Sequence, residues 1–406
     1  MPIKDRLWTP RFIILWQSQL VSTAGDAVYG IALGFWVLSQ TGSTALMGAL
    51  MAASTLPGVL AAPFAGVIID RTNKKRLLVL MDMLRAAAVV LLAAAAYSGL
   101  IRVWMVFIAG VLLSLCGAVF SPCLQASIPE IAPASKMAQA TSAMSAVYTG
   151  SNLLGYTGGG FLYQILGAPA LFLINGLSFL FSGLSLPFVR LSKTGVSAKI
   201  RFFEDMANGF SFIARQAGLR ITVIIAALSN FFFVTAFTLF IPLCKYTPGL
   251  GAGRYGILMA CFTGGGLIGY AILSAVTIRA KNRFLVFTVA TLMQDVLLII
   301  FINQPYFIVM AAMLIIAGIM NAVFNVILVS TVQLSTPQSL RGKVMSFVNM
   351  TSAGLTPFAM ALGGVLGQVL PVKAVITAAF MLSLAVTIPI YFSRKFKAYI
   401  TTEYPC

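Results

Sequence analysis

Three of the nine acidic residues, Asp26, Asp82 and Asp295, fall inside long apolar runs, and the chain contains no histidine. A carboxylate at the centre of a bilayer costs about 2.5–3.5 kcal/mol on insertion scales. Each of the three therefore needs a wet surrounding, a proton or a cationic partner. Without histidine, any proton traffic must use carboxylates. Asp82 precedes Arg85 by three residues, a spacing that predicts an ion pair on one helix face. Asp26 sits in QLVSTAGDAVYG, where Gln19, Ser22, Asp26 and Tyr29 follow at i, i+3, i+7 and i+10 and share a face. Asp295 has no cation at helical spacing; it is expected either to pack against a polar neighbour or to be a second titratable site. Asp26 and Asp295 are thus the candidate proton-binding groups. No HExxH pattern, Ser/His pair or metal-ligand spacing exists, so no catalytic centre, metal site or cofactor is expected and the chain does not read as an enzyme. GGGLIG at 264–269 fits a nucleotide-binding pattern by composition, but it lies inside an apolar run with no preceding strand and reads as helix packing.

The elements that hold these residues are membrane helices. Of 406 residues, 60% are apolar and 9% charged, against about 25% charged in a soluble domain. Apolar runs lie at about 12–38, 43–69, 77–98, 103–126, 138–166, 168–190, 219–244, 254–278, 284–303, 305–333, 344–370 and 372–393. Each is long enough to cross about 30 Å of hydrocarbon as a helix, and none has the short alternating pattern of a barrel strand. The first run exceeds the roughly 7–15 residues of a signal-peptide core and reads as a retained span. The net charge of +18 is a topology signal rather than a nucleic-acid footprint. With the N-terminus inside, cytoplasmic segments hold 22 of the 27 Lys/Arg and outer loops only Arg102, Lys245, Arg254 and Lys373. That asymmetry places both termini in the cytoplasm.

The expected architecture is an all-α polytopic membrane protein with twelve transmembrane helices in two pseudo-symmetric six-helix bundles. The bundles cover residues 1–190 and 219–394. A linker at 191–218 carries an amphipathic surface helix, RFFEDMANGFSFIAR, and residues 395–406 form a cytoplasmic tail. An internal repeat supports the halving: GGFLYQILG at 159–167 matches GGVLGQVLP at 363–371, and the same spacing pairs Pro133 with Pro337 and Gln164 with Gln368. Repeated halves place a ligand site near the midplane, at the repeat interface.

GVIIDRTNKKR at 66–76 resembles the cytoplasmic motif between spans two and three of the major facilitator superfamily. Gly66, Asp70, Arg71, Lys74 and Lys75 match, and Asn73 takes the place of a glycine, a residue that also tolerates a left-handed turn. The resemblance implies a cytoplasmic latch, to which Asp82, Arg85 and Arg341 are candidate contributors. The equivalent loop of the second half, TIRAKNR, lacks the acid. SNLLGYTGGGFL resembles the superfamily's antiporter motif through Gly155, Gly159 and Gly160, with Ser151 and Tyr156 replacing its first glycine and its proline; small residues there allow close helix packing. TPQSLRGKVMSF at 336–347, with Gln19, Ser22, Gly25 and Asp26, is similar to macrolide-efflux-like and siderophore-export members.

In that family the first span lines a central cavity, so the resemblance implies that Asp26 faces water and substrate. Other candidate lining residues are Ser121, Gln125, Tyr148, Asn152, Asn230, Phe233, Phe237, Thr238, Asn321, Asn325 and Asn349. The function implied is a secondary transporter of the bacterial cytoplasmic membrane. It would work by alternating access and export amphipathic, cationic compounds, macrolides included, in exchange for protons. Closing the cavity would favour the protonated acid, and a cationic substrate would displace the proton. Partners would be the small substrate, protons or another coupling ion, and the bilayer, with no nucleic acid, and the chain would act as a monomer. The alternatives are a lysophospholipid or lipid-like flippase or a siderophore exporter on the same fold, and a non-transporting receptor or scaffold, for which no large soluble domain is present.

Overall fold

The computed structural model of the chain describes residues 6–189, 202–276 and 278–401. Its elements are helical, with no strand among the described residues. The chain runs through α1 (Pro10–Thr41), α2 (Thr44–Ala53), α3 (Leu56–Arg71), α4 (Lys74–Tyr97), α5 (Val103–Ile131), α6 (Met137–Ser185), α7 (Phe202–Arg215), α8 (Ala217–Thr238), α9 (Phe240–Tyr246), α10 (Gly251–Ala275), α11 (Ala280–Phe301), α12 (Phe307–Ser335), α13 (Gln338–Val369), α14 (Val372–Tyr391) and α15 (Arg394–Thr401). Local signals set the ends. Thr9 caps α1 by accepting from the Phe12 amide at 3.3 Å, Pro10 opens the helix, and Gly42 closes it at φ 64°, the left-handed conformation that glycine adopts without Cβ strain.

Eleven helical stretches are long and apolar enough to cross a membrane. One of them, Ala134–Phe188, has 55 residues. At about 1.5 Å per residue it is roughly 80 Å long, well over twice the hydrocarbon thickness of about 30 Å. Gly167, at φ 72° and ψ 177°, breaks it, and Pro169 opens the second part. The stretch makes two crossings, and the described residues make twelve.

The chain divides into two compact units. The first holds Met1–Gly42, Leu50–Ile200 and Gly249–Gly256; the second holds Ser43–Ala49, Arg201–Pro248 and Ile257–Cys406. In the first, α1 and α4 both pack on α6, and α3 and α4 pack on α5. Lipid is as apolar as leucine, so such packing depends on close backbone approach and interhelical hydrogen bonds rather than on escape from water. Gly155 faces the Ala27 methyl of α1, and a Cβ on Gly159 would meet Ile31 at 3.0 Å. Ser151 Oγ donates to the Leu20 carbonyl at 3.1 Å and Trp16 Nε1 to the Ala143 carbonyl at 3.2 Å. In the second unit α8 packs on α13 and α14, and α11 on α12.

Part of the linker, residues 191–201, and the side chains of Phe203, Glu204, Asp205 and Asn208 lie outside the described residues. The amphipathic segment is helical as α7, which packs on α13. Ile213 is buried, and the Phe210 ring lies 5.7 Å from that of Phe347. Asn73 does not adopt a left-handed turn. Its φ is −68°, and its side chain caps α4 by accepting from the Arg76 amide at 3.2 Å. Asparagine serves the helix start here through its side-chain acceptor, not through backbone permissiveness.

Candidate functional site

The three intramembrane acids have three different surroundings. Asp26 lies midway along α1 with its side chain exposed, and accepts one hydrogen bond, from Asn175 Nδ2 at 3.4 Å. Gly25 brings the helices together there: a Cβ at that position would meet Asn175 Oδ1 at 2.7 Å and would also strike Ser178. Arg85 and Asp82 are the charged groups that act on Asp26 through space, but Asp26 has no ion-pair contact among the described residues.

Asp82 is fully buried and neutralised. Arg85 Nη2 donates to Asp82 Oδ1 at 2.6 Å and Ser182 Oγ to Asp82 Oδ2 at 2.6 Å. The guanidinium lies 4.1 Å from the Phe120 centroid and 4.7 Å from that of Phe179, so its faces rest on two aromatic rings. The i,i+3 pair expected from spacing forms, and α5 and α6 enclose it. Asp295 is buried beside Ser383 and Gln294 with no cation in contact among the described residues. Asn321 Nδ2 donates to Gln294 Oε1 at 3.1 Å, Asn325 Nδ2 to Asn321 Oδ1 at 3.1 Å, and Thr291 and Tyr391 hydroxyls meet at 2.5 Å. Asp295 thus has polar neighbours, as the first of its two expected readings requires.

The polar stripe of α1 is split by its neighbours. Gln19 and Thr23 line a cavity of about 860 Å³ in the first unit, walled by α1, α5 and α6. Ser22 is buried, and the Tyr29 ring packs 5.4 Å from Phe172, its buried hydroxyl without a hydrogen-bond partner among the described residues. Neither Ser22, Asp26 nor Tyr29 lines that cavity. Ser121 and Gln125 of α5 and Tyr148 of α6 do; sequence reasoning named all three as candidates for the central cavity. It missed Thr141, Ser145 and Thr149, which also line the wall. Their signal was present: Thr141, Ser145 and Tyr148 stand at i, i+4 and i+7 on one helix face.

The remaining candidates are dispersed. Asn152 Nδ2 bonds to the Tyr148 carbonyl of its own helix at 2.9 Å. In the second unit Asn230 Nδ2 ties α8 to the Ser352 carbonyl of α13 at 3.1 Å. Phe233 and Phe237 stack at 4.0 Å, continuing to Phe240 at 4.4 Å and Phe262 at 5.1 Å. Thr238 is buried and Asn349 is exposed.

Of the latch residues, Gly66 and Arg71 lie in the last turns of α3, and Lys74 and Lys75 open α4. Lys74 Nζ pairs with Glu130 Oε1 at 2.6 Å, an ion pair sequence reasoning did not foresee. The side chain of Asp70 lies outside the described residues, as does Thr277 in the equivalent loop. Arg71 and Arg341 are exposed.

Twelve helical crossings in two units, with one accessible carboxylate midway along a span, define a multi-pass membrane protein of the transporter class. The chain belongs to the Major Facilitator Superfamily, whose family model matches residues 15–359. It is 23% identical over 382 residues to macrolide efflux protein A of Streptococcus pyogenes, covering 93% of each chain. It is 25% identical over 375 residues to the multidrug efflux pump Tap of Mycolicibacterium fortuitum, covering 88% of this chain and 89% of that one. Among solved structures, a bacterial homologue of the iron transporter ferroportin in an inward-facing state superposes with a TM-score of 0.74. Its sequence identity is 15%, over 94% of this chain and 98% of that one, and that likeness establishes the fold.

Proposed function

We propose that this transporter exports amphipathic, cationic small molecules of the macrolide or multidrug type across the bacterial cytoplasmic membrane, by alternating access and in exchange for protons. Asp26 is the exchange group, and the chain works as a monomer with both termini in the cytoplasm. The observation that carries the reading is the difference among the three acids. Asp82 already has Arg85, Asp295 is enclosed by neutral polar groups, and Asp26 is accessible and has no ion pair among the described residues. An accessible carboxylate at that depth is stabilised either by a proton or by a cation that replaces it. A conformational change that alternately wets and encloses Asp26 would then link proton release to substrate uptake. The relatives named for macrolide and multidrug efflux support the cargo.

The test uses energised everted vesicles, wild type beside Asp26→Asn, with proton release recorded on adding macrolides, cationic amphiphiles and lysolipids. Collapse of the pH gradient by a macrolide or cation in wild type, and its loss in the variant, is the expected result. Equal responses in both would remove Asp26 from the exchange, and a response to lysolipids alone would make the cargo a lipid.

A further inference from the structure

We infer that Asp295 is a second proton-binding site, reached through a relay of hydroxyls on one face of α14. The transport reading above gives Asp295 no role, and this inference does not depend on Asp26 being the exchange group.

Three observations carry it. First, Asp295 is a buried acid in neutral company. It is 4% exposed, Ser383 and Gln294 hydrogen-bond to it, and no cation contacts it among the described residues. Of the helices packed on α11, α12 carries no titratable side chain, and α14 carries Lys373 in its first turn and Tyr391 at its end. The third, α15, carries Arg394, Lys395, Lys397 and Tyr399. Lys397 lies 5.6 Å from the Phe284 ring, roughly 16 Å along α11 from Asp295, and Tyr399 bonds to Ser335. A carboxyl group at membrane depth is compensated by a proton or by a cation, and this cluster supplies no cation. Second, the groups around Asp295 can serve both of its forms. Asn325 Nδ2 donates to Asn321 Oδ1 and Asn321 Nδ2 to Gln294 Oε1, both at 3.1 Å. That chain of amides leaves Gln294 Nε2 to donate to Asp295. The Ser383 hydroxyl can donate to the carboxylate or accept from the acid.

Third, hydroxyls lead away from the site. Ser383, Thr387 and Tyr391 stand at i, i+4 and i+8 on one face of α14. The first two are buried and Tyr391 is half-buried. The Tyr391 hydroxyl bonds to Thr387 and to Thr291, the latter at 2.5 Å. Thr291 and Thr387 have acceptors for their own protons, the Phe287 carbonyl at 2.9 Å and the Ser383 carbonyl at 3.0 Å. The Tyr391 proton can therefore turn from one to the other. One helical turn, about 5–6 Å between Cβ atoms, separates Thr387 from Ser383, a gap that one water spans. A proton taken up by the Tyr391 oxygen replaces the one that Tyr391 passes to Thr387. Through Ser383 one proton reaches Asp295, and a carboxylate becomes a carboxylic acid; release runs the chain in reverse. On the proposed topology Tyr391 is the cytoplasmic end.

The experiment is infrared difference spectroscopy on the purified full chain in lipid nanodiscs, which needs no substrate and no transport. A protonated carboxyl has a C=O stretch clear of the amide bands, and the stretch shifts in deuterated water as O–H becomes O–D. Wild type should show such a band that shrinks as pH rises. Asp295→Asn should lack it, and Asp26→Asn should keep it. Tyr391→Phe keeps the ring and removes the relay hydroxyl. It should leave the band but slow its deuterium shift by roughly a hundredfold, the lower end of what a positioned proton-transfer group contributes. If Asp295→Asn does not fold, Ser383→Ala, which removes a hydrogen bond to the same carboxyl, should move the band in frequency. A wild type without a titrating band overturns the proton site, as does a band that is unchanged in Asp295→Asn, or in Ser383→Ala where that variant stands in. A band lost in Asp26→Asn overturns it too. A deuterium shift as fast in Tyr391→Phe as in wild type overturns the relay. The band in a chain that releases no protons to substrates in vesicles would sink the exchange reading and leave this one standing. Release through Asp26 without the band would do the opposite.

Discussion

Asp82 and Arg85 show how much one buried pair depends on its surroundings. With both oxygens of Asp82 bonded and the guanidinium resting on Phe120 and Phe179, the charges are compensated where water is absent. Arg85→Met would leave Asp82 buried and unpaired, at a cost of about 3–5 kcal/mol. The expected result is a clear drop in the thermal unfolding temperature of the detergent-solubilised protein. Adding Asp82→Asn to Arg85→Met should recover at least half of that drop, because no unpaired charge remains. A double variant as unstable as the single one would mean that Arg85 acts by packing alone. The pair was legible as an i,i+3 spacing. The third partner, Ser182, comes from a distant part of the chain, and no local pattern points to it.

The helix that organises the first unit is α6, whose glycines have unequal duties. Gly155 and Gly159 face α1, whereas a Cβ on Gly158 would meet nothing within 4 Å. Gly155→Leu should therefore force α1 and α6 apart and cost about 1–3 kcal/mol of stability through overpacking. Gly158→Ala should be neutral or slightly stabilising, since alanine is the better helix former by about 1 kcal/mol. Comparing melting temperatures and yields of the two variants checks this, and similar losses in both would mean that the cluster matters for backbone flexibility rather than packing. At the other end of the element hierarchy, Asn73→Ala should remove the α4 cap and cost about 1 kcal/mol. The motif made Asn73 look like a substitute for glycine. Only the backbone angles reveal a capping side chain, because asparagine suits both roles.

For the whole molecule, the basic residues predict sidedness. On a background with all five cysteines replaced, Lys373→Cys should react with an impermeant maleimide applied outside intact cells. Lys395→Cys should react only after the membrane is opened. The opposite pattern would invert the topology and place the export direction in doubt. Twelve crossings, the amphipathic segment at α7, the Asp82–Arg85 pair and the exceptional position of Asp26 were determined by the sequence itself. Each follows from length, helical period or the energetic penalty of charge in hydrocarbon, all of which act within one segment. The tertiary structure alone decided which side of the α1 stripe each residue occupies. Gln19 and Asp26 share a helical face by count, yet Gln19 lines the cavity, Tyr29 packs on Phe172, and Asp26 meets Asn175. Asp295 likewise acquired Ser383, and the cavity acquired Thr141 and Ser145. A helix's period says which side chains point together, but what they meet depends on the neighbouring helix, and Gly25 and Gly155 set how closely that helix approaches.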